Sequence, residues 1–356
     1  MKKLSLLSIL FLQFIFLQAQ DRTDLFIDSV MHAQHIPGAA VAVIQDGQVL
    51  KKSVYGKANL EWNQDLTYNS AFQMASTTKL FTGVLLGILH EKKVISVDDC
   101  LEKYMDSLPN SWETITLRQL ASHQSGIKMV ELEKFPNLQT AIKAAMKEKL
   151  EYEPGTKEYY VSTDYAFLNQ VLLKISGKSF PELMKEMLLD PLKLQNTGFD
   201  LLKDEGLFRT ADLIENRVGV YGWAESRPFI SDMRFPDWFY PAGGIYSSID
   251  DLSRFMQALD REELISTATQ ELIFGPNPLK NGNPSYFGLG WITETYQGHR
   301  LTGHSGGPAL ADVIRFPDLK ISIIVLTNRR GGFYPFLSRG VAQYYIDGLV
   351  MPEIPQ

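Results

Sequence analysis

Ala71-Phe-Gln-Met-Ala-Ser-Thr-Thr-Lys-Leu80 sets Ser76 and Lys79 three residues apart, directly ahead of an apolar run. Leu80, Phe81, Val84, Leu85, Ile88 and Leu89 recur at helical spacing. The pattern predicts a buried helix with Ser76 near its start and Lys79 one turn further on the same side. A serine hydroxyl is a poor nucleophile until a neighbouring base takes its proton. A lysine can be that base when a dry, positively charged surrounding lowers its pKa. A helix start also offers free N–H groups for an oxyanion. The same spacing recurs at Ser125-Gly-Ile-Lys128, but Gly126 breaks helix there and no apolar run follows. The plain alternative for Lys79 is a solvated lysine in a first helical turn.

Working outward, the chain has 356 residues, 45% hydrophobic and 21% charged, which is globular composition for one large domain or two interlocked ones. The net charge of −6 and the lack of Lys/Arg clusters argue against a nucleic-acid partner. Lys2 and Lys3 precede an apolar stretch from Leu4 to Leu17, and Gln18-Ala19-Gln20 offers a small residue for cleavage. Residues 1–20 therefore read as an export signal, leaving a periplasmic or secreted protein with no stable membrane span; a retained anchor is the alternative. Cys100 is the only cysteine, so no internal disulfide forms, and it reads as a small buried apolar residue.

Residues 24–35 have the pattern of an amphipathic helix. The apolar run Ala39–Ile44, the turn Asp46-Gly47 and the stretch Val49–Tyr55 read as a β-hairpin. Residues 97–175 look mostly helical, with Thr116–Ser122, Leu138–Lys149 and Tyr165–Ile175 as clear segments. Residues 200–240 are irregular and aromatic-rich, suited either to wall a cleft or to cover a core. A helix over Ser248–Leu259 is capped by Ser247 or Ser248. Phe287–Thr295, His299–Gly303, Ala309–Phe316 and Ile321–Thr327 are strand-like, with Pro317-Asp318 joining the last two, and Pro335–Leu349 reads as a closing helix. Strands at both ends and helices between imply an α+β fold. One antiparallel sheet is built from both termini and flanked by helices, with an inserted, mostly helical region. The expected catalytic domain is 21–356, its sheet part about 21–75 and 241–356 and its helical part about 76–240.

Ser76-Thr-Thr-Lys79 is followed by Ile115-Thr-Leu-Arg-Gln-Leu-Ala-Ser-His-Gln-Ser-Gly126, Pro154-Gly-Thr-Lys-Glu-Tyr-Tyr160, Pro191-Leu-Lys-Leu-Gln-Asn-Thr-Gly198, Pro241-Ala-Gly-Gly244 and His304-Ser-Gly-Gly307. In this order the set resembles the serine β-lactamase-like superfamily, nearest its class C branch with D-alanyl-D-alanine carboxypeptidases, D-aminopeptidases and esterases. The resemblance implies a β-lactamase/transpeptidase-like fold and acylation of Ser76, with Lys79 or Tyr160 as the base. Tyr159 is the rival for Tyr160. It further implies an oxyanion hole from the backbone N–H groups of Ser76 and Gly307. His304-Ser305-Gly306 would lie on a strand lining the site, and Ser162 beside the substrate. The substrate would be a small molecule or a peptide. Neither a cofactor nor a metal is implied, and no oligomeric state.

Two departures from the family pattern bear on substrate. His304 stands where a lysine is usual, which weakens the positive charge that would hold a substrate carboxylate. Tyr160-Val-Ser162 ends in serine instead of asparagine, a shorter hydrogen-bonding group. Small esters or D-amino-acid peptides and amides are therefore expected ahead of β-lactams, with a class C-type β-lactamase, or a non-catalytic peptidoglycan- or peptide-binding protein of this fold, as alternatives. Gly303-His-Ser-Gly-Gly307 also fits G-x-S-x-G, the nucleophile elbow of α/β-hydrolases. That elbow needs a helix next and a histidine later in the chain, and no histidine follows 304. His123 and Ser125 raise a Ser-His pair, against the plainer reading of a structural loop.

Overall fold

The computed structural model of the chain describes residues 22–131, 134–205, 208–231, 233–307, 310–331 and 337–351. The predicted export signal, residues 1–20, lies outside them. The strands are β1 (Gly38–Gln45), β2 (Gln48–Asn59), β3 (Gln64–Asp65), β4 (Phe72–Gln73), β5 (Gly198–Phe199), β6 (Leu202–Glu205), β7 (Phe208–Ala211), β8 (Tyr221–Ala224), β9 (Arg227–Ile230), β10 (Ile245–Ser247), β11 (Ile292–Tyr296), β12 (His299–Gly306), β13 (Ala311–Phe316) and β14 (Ile321–Thr327). The helices are α1 (residues 22–33), α2 (Thr78–Glu91), α3 (Leu117–Ala121), α4 (Leu138–Ala145), α5 (Thr163–Ser176), α6 (Phe180–Met184), α7 (Tyr240–Gly243), α8 (Ile249–Asp260), α9 (Thr267–Phe274) and α10 (Leu337–Ala342).

Seven strands form one antiparallel sheet in the order β11-β12-β13-β14-β1-β2-β3. The two ends of the chain meet where β14 pairs with β1, Val41 opposite Val325. Both strands are buried on both faces, which is why they read as unbroken apolar runs and not as alternation. Side-chain alternation sorts them. Ala40, Ala42, Ile44, Val313, Ile324 and Leu326 face the core that holds α2 and α8. Ala39, Val41, Val43, Ile314, Phe316, Ile323 and Val325 face Ile27 of α1 and Leu337 and Val341 of α10. The β1–β2 turn is the Asp-Gly kind expected, with Asp46 at φ 49° and Gly47 at φ 71°.

Helix α2 is buried from Thr78 to Leu89, so it has no solvent stripe and acts as the central post of the helical side. Ser248 caps α8, accepting from the N–H of Asp251. Thr116 and Gln119 form a reciprocal capping box on α3.

Several expectations are corrected. Among the described residues of 97–175 there are three α-helices, of which only α5 is long; 3₁₀ turns, such as Leu101–Lys103 and Asn110–Trp112, other turns, bends and irregular chain make up the rest. Residues 202–230 contain two small hairpins, β6–β7 and β8–β9, where irregular chain was expected. Strand β11 begins only at Ile292, and α10 (Leu337–Ala342) ends well before Leu349; residues 335 and 336 of the expected helix lie outside the described residues. Cys100 is partly exposed, its thiol near the Thr114 carbonyl, and is not a core residue. Among the described residues no helix is long and apolar enough to cross a membrane.

Candidate active site

Ser76 is not in α2 itself. It sits in the middle of a 3₁₀ turn, Ala75–Thr77, that leads into the helix. Ala75 takes a left-handed backbone at φ 45°, a conformation costly for a residue with a Cβ and held only where the surroundings dictate it. The turn leaves the Ser76 side chain partly exposed while Ala75 and Thr77 are buried.

Lys79 is fully buried one turn later. A buried ammonium needs partners, and it has them: Nζ donates to the Ala242 carbonyl at 2.8 Å and lies 4.9 Å from the Tyr160 ring centroid and 5.0 Å from that of Tyr165. The Ala242 carbonyl comes from α7, within Pro241-Ala-Gly-Gly244, so that turn serves as a seat for the lysine.

Tyr160 precedes α5 and faces inward, against Lys79, His123, Phe287 and His304. Its hydroxyl is buried and without a partner among the described residues. Tyr159, the rival, is 57% exposed. Ser162 is the N-cap of α5 and partly exposed, and its hydroxyl makes no capping bond.

Strand β12 delivers the third motif. A Cβ on Gly306 would lie 2.0 Å from the Met74 carbonyl oxygen and 2.8 Å from Thr77 Oγ1, so only glycine lets this strand lie against the Ser76 turn. Gly307 follows in a turn, where an added Cβ would meet no described atom within 4 Å. His304 is 6% exposed. Its Nδ1 bonds the Ser305 carbonyl at 2.7 Å; a carbonyl only accepts, so the proton is on Nδ1. Burial and the nearby Lys79 ammonium depress its pKa to about 3, so the ring is neutral and Nε2 is a bare, buried acceptor without a partner among the described residues. Ser305 points the other way. Its hydroxyl donates to Asp312 at 2.8 Å, and Asp312 also accepts from the Ser338 N–H and hydroxyl at the start of α10. The structure thus brings Ser76, Lys79, Tyr160, His304 and Gly306 to one place and leaves the Ser305 hydroxyl on the α10 side of the sheet. Gly303–Gly306 lies in β12 and the next element is the strand β13, so among the described residues there is no strand–serine–helix turn of a nucleophile elbow.

Sequence reasoning undervalued His123. It is 1% exposed, at φ 58°, with its ring 4.5 Å from Tyr160, 5.0 Å from Phe287 and 5.4 Å from Tyr165. It does not pair with Ser125, whose buried hydroxyl donates to Asp164. His123 Nδ1 and Asp164 Oδ2 are 3.4 Å apart, yet they are not an ion pair. Burial, Lys79 and His304 push the His123 pKa well down, and burial pushes the Asp164 carboxyl well up, so both are neutral. A groove of ≈ 780 Å³ near α6, lined by residues such as Leu189, Leu194 and Phe199, contains none of these groups. Among the described residues no cluster of His, Cys, Asp or Glu is placed to hold a metal.

A family model described as Beta-lactamase matches residues 23–344. The chain belongs to the Beta-lactamase family. Within that family, Penicillin-binding protein 4* of Bacillus subtilis (strain 168) is 26% identical over 313 residues, which are 83% of this chain and 69% of that protein. Teichoic acid D-alanine hydrolase of Staphylococcus aureus is 29% identical over 243 residues, 67% of this chain and 58% of that one. The chain thus spans only part of the length of these curated relatives. The octameric penicillin-binding protein homologue from Pyrococcus abyssi superposes with a TM-score of 0.75 at 24% identity, covering 91% of this chain and 76% of that structure.

Proposed function

We propose that this chain is an exported serine hydrolase, one catalytic domain over about residues 21–356, that forms an acyl-enzyme on Ser76 with small esters or D-amino-acid peptides and amides. The observation that carries the reading is the buried Lys79, seated on the Ala242 carbonyl and 4.9 Å from the ring of Tyr160, whose hydroxyl has no partner among the described residues, one turn after a partly exposed serine that follows the strained Ala75. Ser76 Oγ attacks the acyl carbonyl while its proton passes to Lys79 as the free amine or to Tyr160 as the phenolate, since an ammonium has no lone pair to accept it. The N–H groups of Ser76 and Gly307 hold the oxyanion, and the same relay returns the proton to the leaving oxygen or nitrogen. Water then repeats the sequence on the ester of Ser76.

The substrate class follows from His304. A neutral ring offering only a lone pair gives a carboxylate neither charge nor a hydrogen bond, whereas an ester or a group bearing an N–H needs no positive partner there. Ser162 is shorter than the amide side chain usual at its position, and one lost hydrogen bond costs roughly 0.5–1.5 kcal/mol net. The relatives named for penicillin binding and for teichoic acid D-alanine hydrolysis both fit acyl transfer at a serine. Steady-state kcat/KM on p-nitrophenyl butyrate, a D-alanyl peptide amide without a free carboxylate and nitrocefin tests the order. We expect nitrocefin last; nitrocefin ahead of both others would make the protein a β-lactamase.

A further inference from the structure

His123 has no part in the chemistry above, yet three of its contacts converge on Tyr160. Its carbonyl accepts the N–H of Tyr159 at 2.9 Å. Its Nδ1 accepts the N–H of Val161 at 3.4 Å. Its ring packs on the Tyr160 ring at 4.5 Å, tilted by 49°. One residue therefore holds the main chain on both sides of Tyr160 and the tyrosine ring between them. The left-handed backbone of His123 is what turns carbonyl and side chain toward the same segment, and Tyr152 donates to that carbonyl as well, at 3.3 Å.

The side-chain half of this grip works in one protonation state. An amide N–H only donates, so Nδ1 must carry a lone pair and the ring proton must be on Nε2. Burial and the Lys79 charge oppose a second proton on the ring, and Asp164 beside it is neutral. A proton on Nδ1 would meet the Val161 N–H head on and open the grip.

We propose that His123 is a positioning residue that fixes Tyr160 for proton transfer at Ser76, by a two-sided hydrogen-bond clamp on Tyr159 and Val161. This rests on the reading of Tyr160 as a proton-transfer group.

The geometry dictates the variants. In His123→Asn the amide oxygen sits where Nδ1 was, and asparagine tolerates a left-handed backbone. In His123→Gln the amide reaches the place of Nε2 and leaves Val161 without its acceptor. With p-nitrophenyl butyrate, and rates normalised to the fraction of chains that a fluorophosphonate labels at completion, the Gln variant should lose kcat by about tenfold or more at little-changed KM, and the Asn variant should recover most of that loss. Combined with Tyr160→Phe, the Gln change should cost less than about twofold more, because both act through one group. A Gln variant as fast as the Asn variant, or two losses that multiply in full, would overturn the clamp. A Tyr160→Phe variant with undiminished activity would instead sink the role of Tyr160, and the positioning proposal with it.

Discussion

Ser76 and Lys79 are placed by residues that do no chemistry. Ala75 accepts a strained backbone so that the next side chain emerges from the turn, and the Ala242 carbonyl holds the ammonium that follows. If Ser76 is the nucleophile, peptide mapping after fluorophosphonate treatment finds the label there. Ser125 cannot compete, because its hydroxyl is buried against Asp164; a label on Ser125 or Ser305 would refute the assignment. Lys79→Ala and Tyr160→Phe should each slow acylation or deacylation, by about 10²–10⁴-fold as is usual for loss of proton transfer. Tyr159→Phe should do little, since that ring is largely in solvent. The opposite outcome for the two tyrosines would shift the loop register by one residue.

At the scale of elements, the site exists because β12 crosses the Ser76 turn at van der Waals distance. Gly306 is the contact, and the Met74 carbonyl beneath it is backbone, which cannot swing aside as a side chain would. Gly306→Ala should therefore displace β12 or the turn, costing about 1–3 kcal/mol as overpacking does. Thermal unfolding reads the first effect and the rate of fluorophosphonate labelling the second. An alanine variant as stable and as reactive as the parent would mean that the strand approaches less closely. The loop 275–290 adds a second wall. Glu158 accepts from the Tyr286 N–H and the Ser285 hydroxyl, tying that loop to the segment that carries Tyr160 and bringing Phe287 over His123.

At the scale of the whole molecule, burying His123 and His304 neutral makes folding depend on pH. Unfolded histidine titrates near 6.5, whereas folded His304 does so only at about 3 and folded His123 well below its ordinary value. Between those limits the unfolded chain binds protons that the folded one refuses. Stability from these groups is thus whole above pH about 6.5 and falls as pH drops, by up to about 1.4 kcal/mol per pH unit for each histidine. Asp164 and Asp312, whose carboxyls are pushed up by burial, act in the opposite sense, their contribution being lost as pH rises through the folded values. A single variant separates the two. The melting temperature of His304→Gln relative to the parent should climb as pH falls from 7 to 4.5, and a difference independent of pH would show that His304 is not held neutral.

The local chain by itself determined the features whose causes are local. The apolar period after Ser76, the Asp46-Gly47 turn, the Ser248 cap and the short link between β13 and β14 depend on neighbours a few residues apart. Spaced motifs also carried Tyr160 and His304 to the site before any geometry was known. What stayed hidden was set by groups distant in sequence. The β8–β9 turn is made by Glu225 and Ser226, both at positive φ without a glycine or asparagine to announce it. That one sheet would draw on both ends of the chain was expected, but which strands meet there, β1 with β14, was not. The strain at Ala75, the grip of His123 and the neutrality of His304 arise from packing and desolvation, which belong to the surroundings of a side chain and not to its neighbours in sequence. The residue types of the chemistry were therefore legible in the chain, and their protonation and aim were decided only when the fold enclosed them.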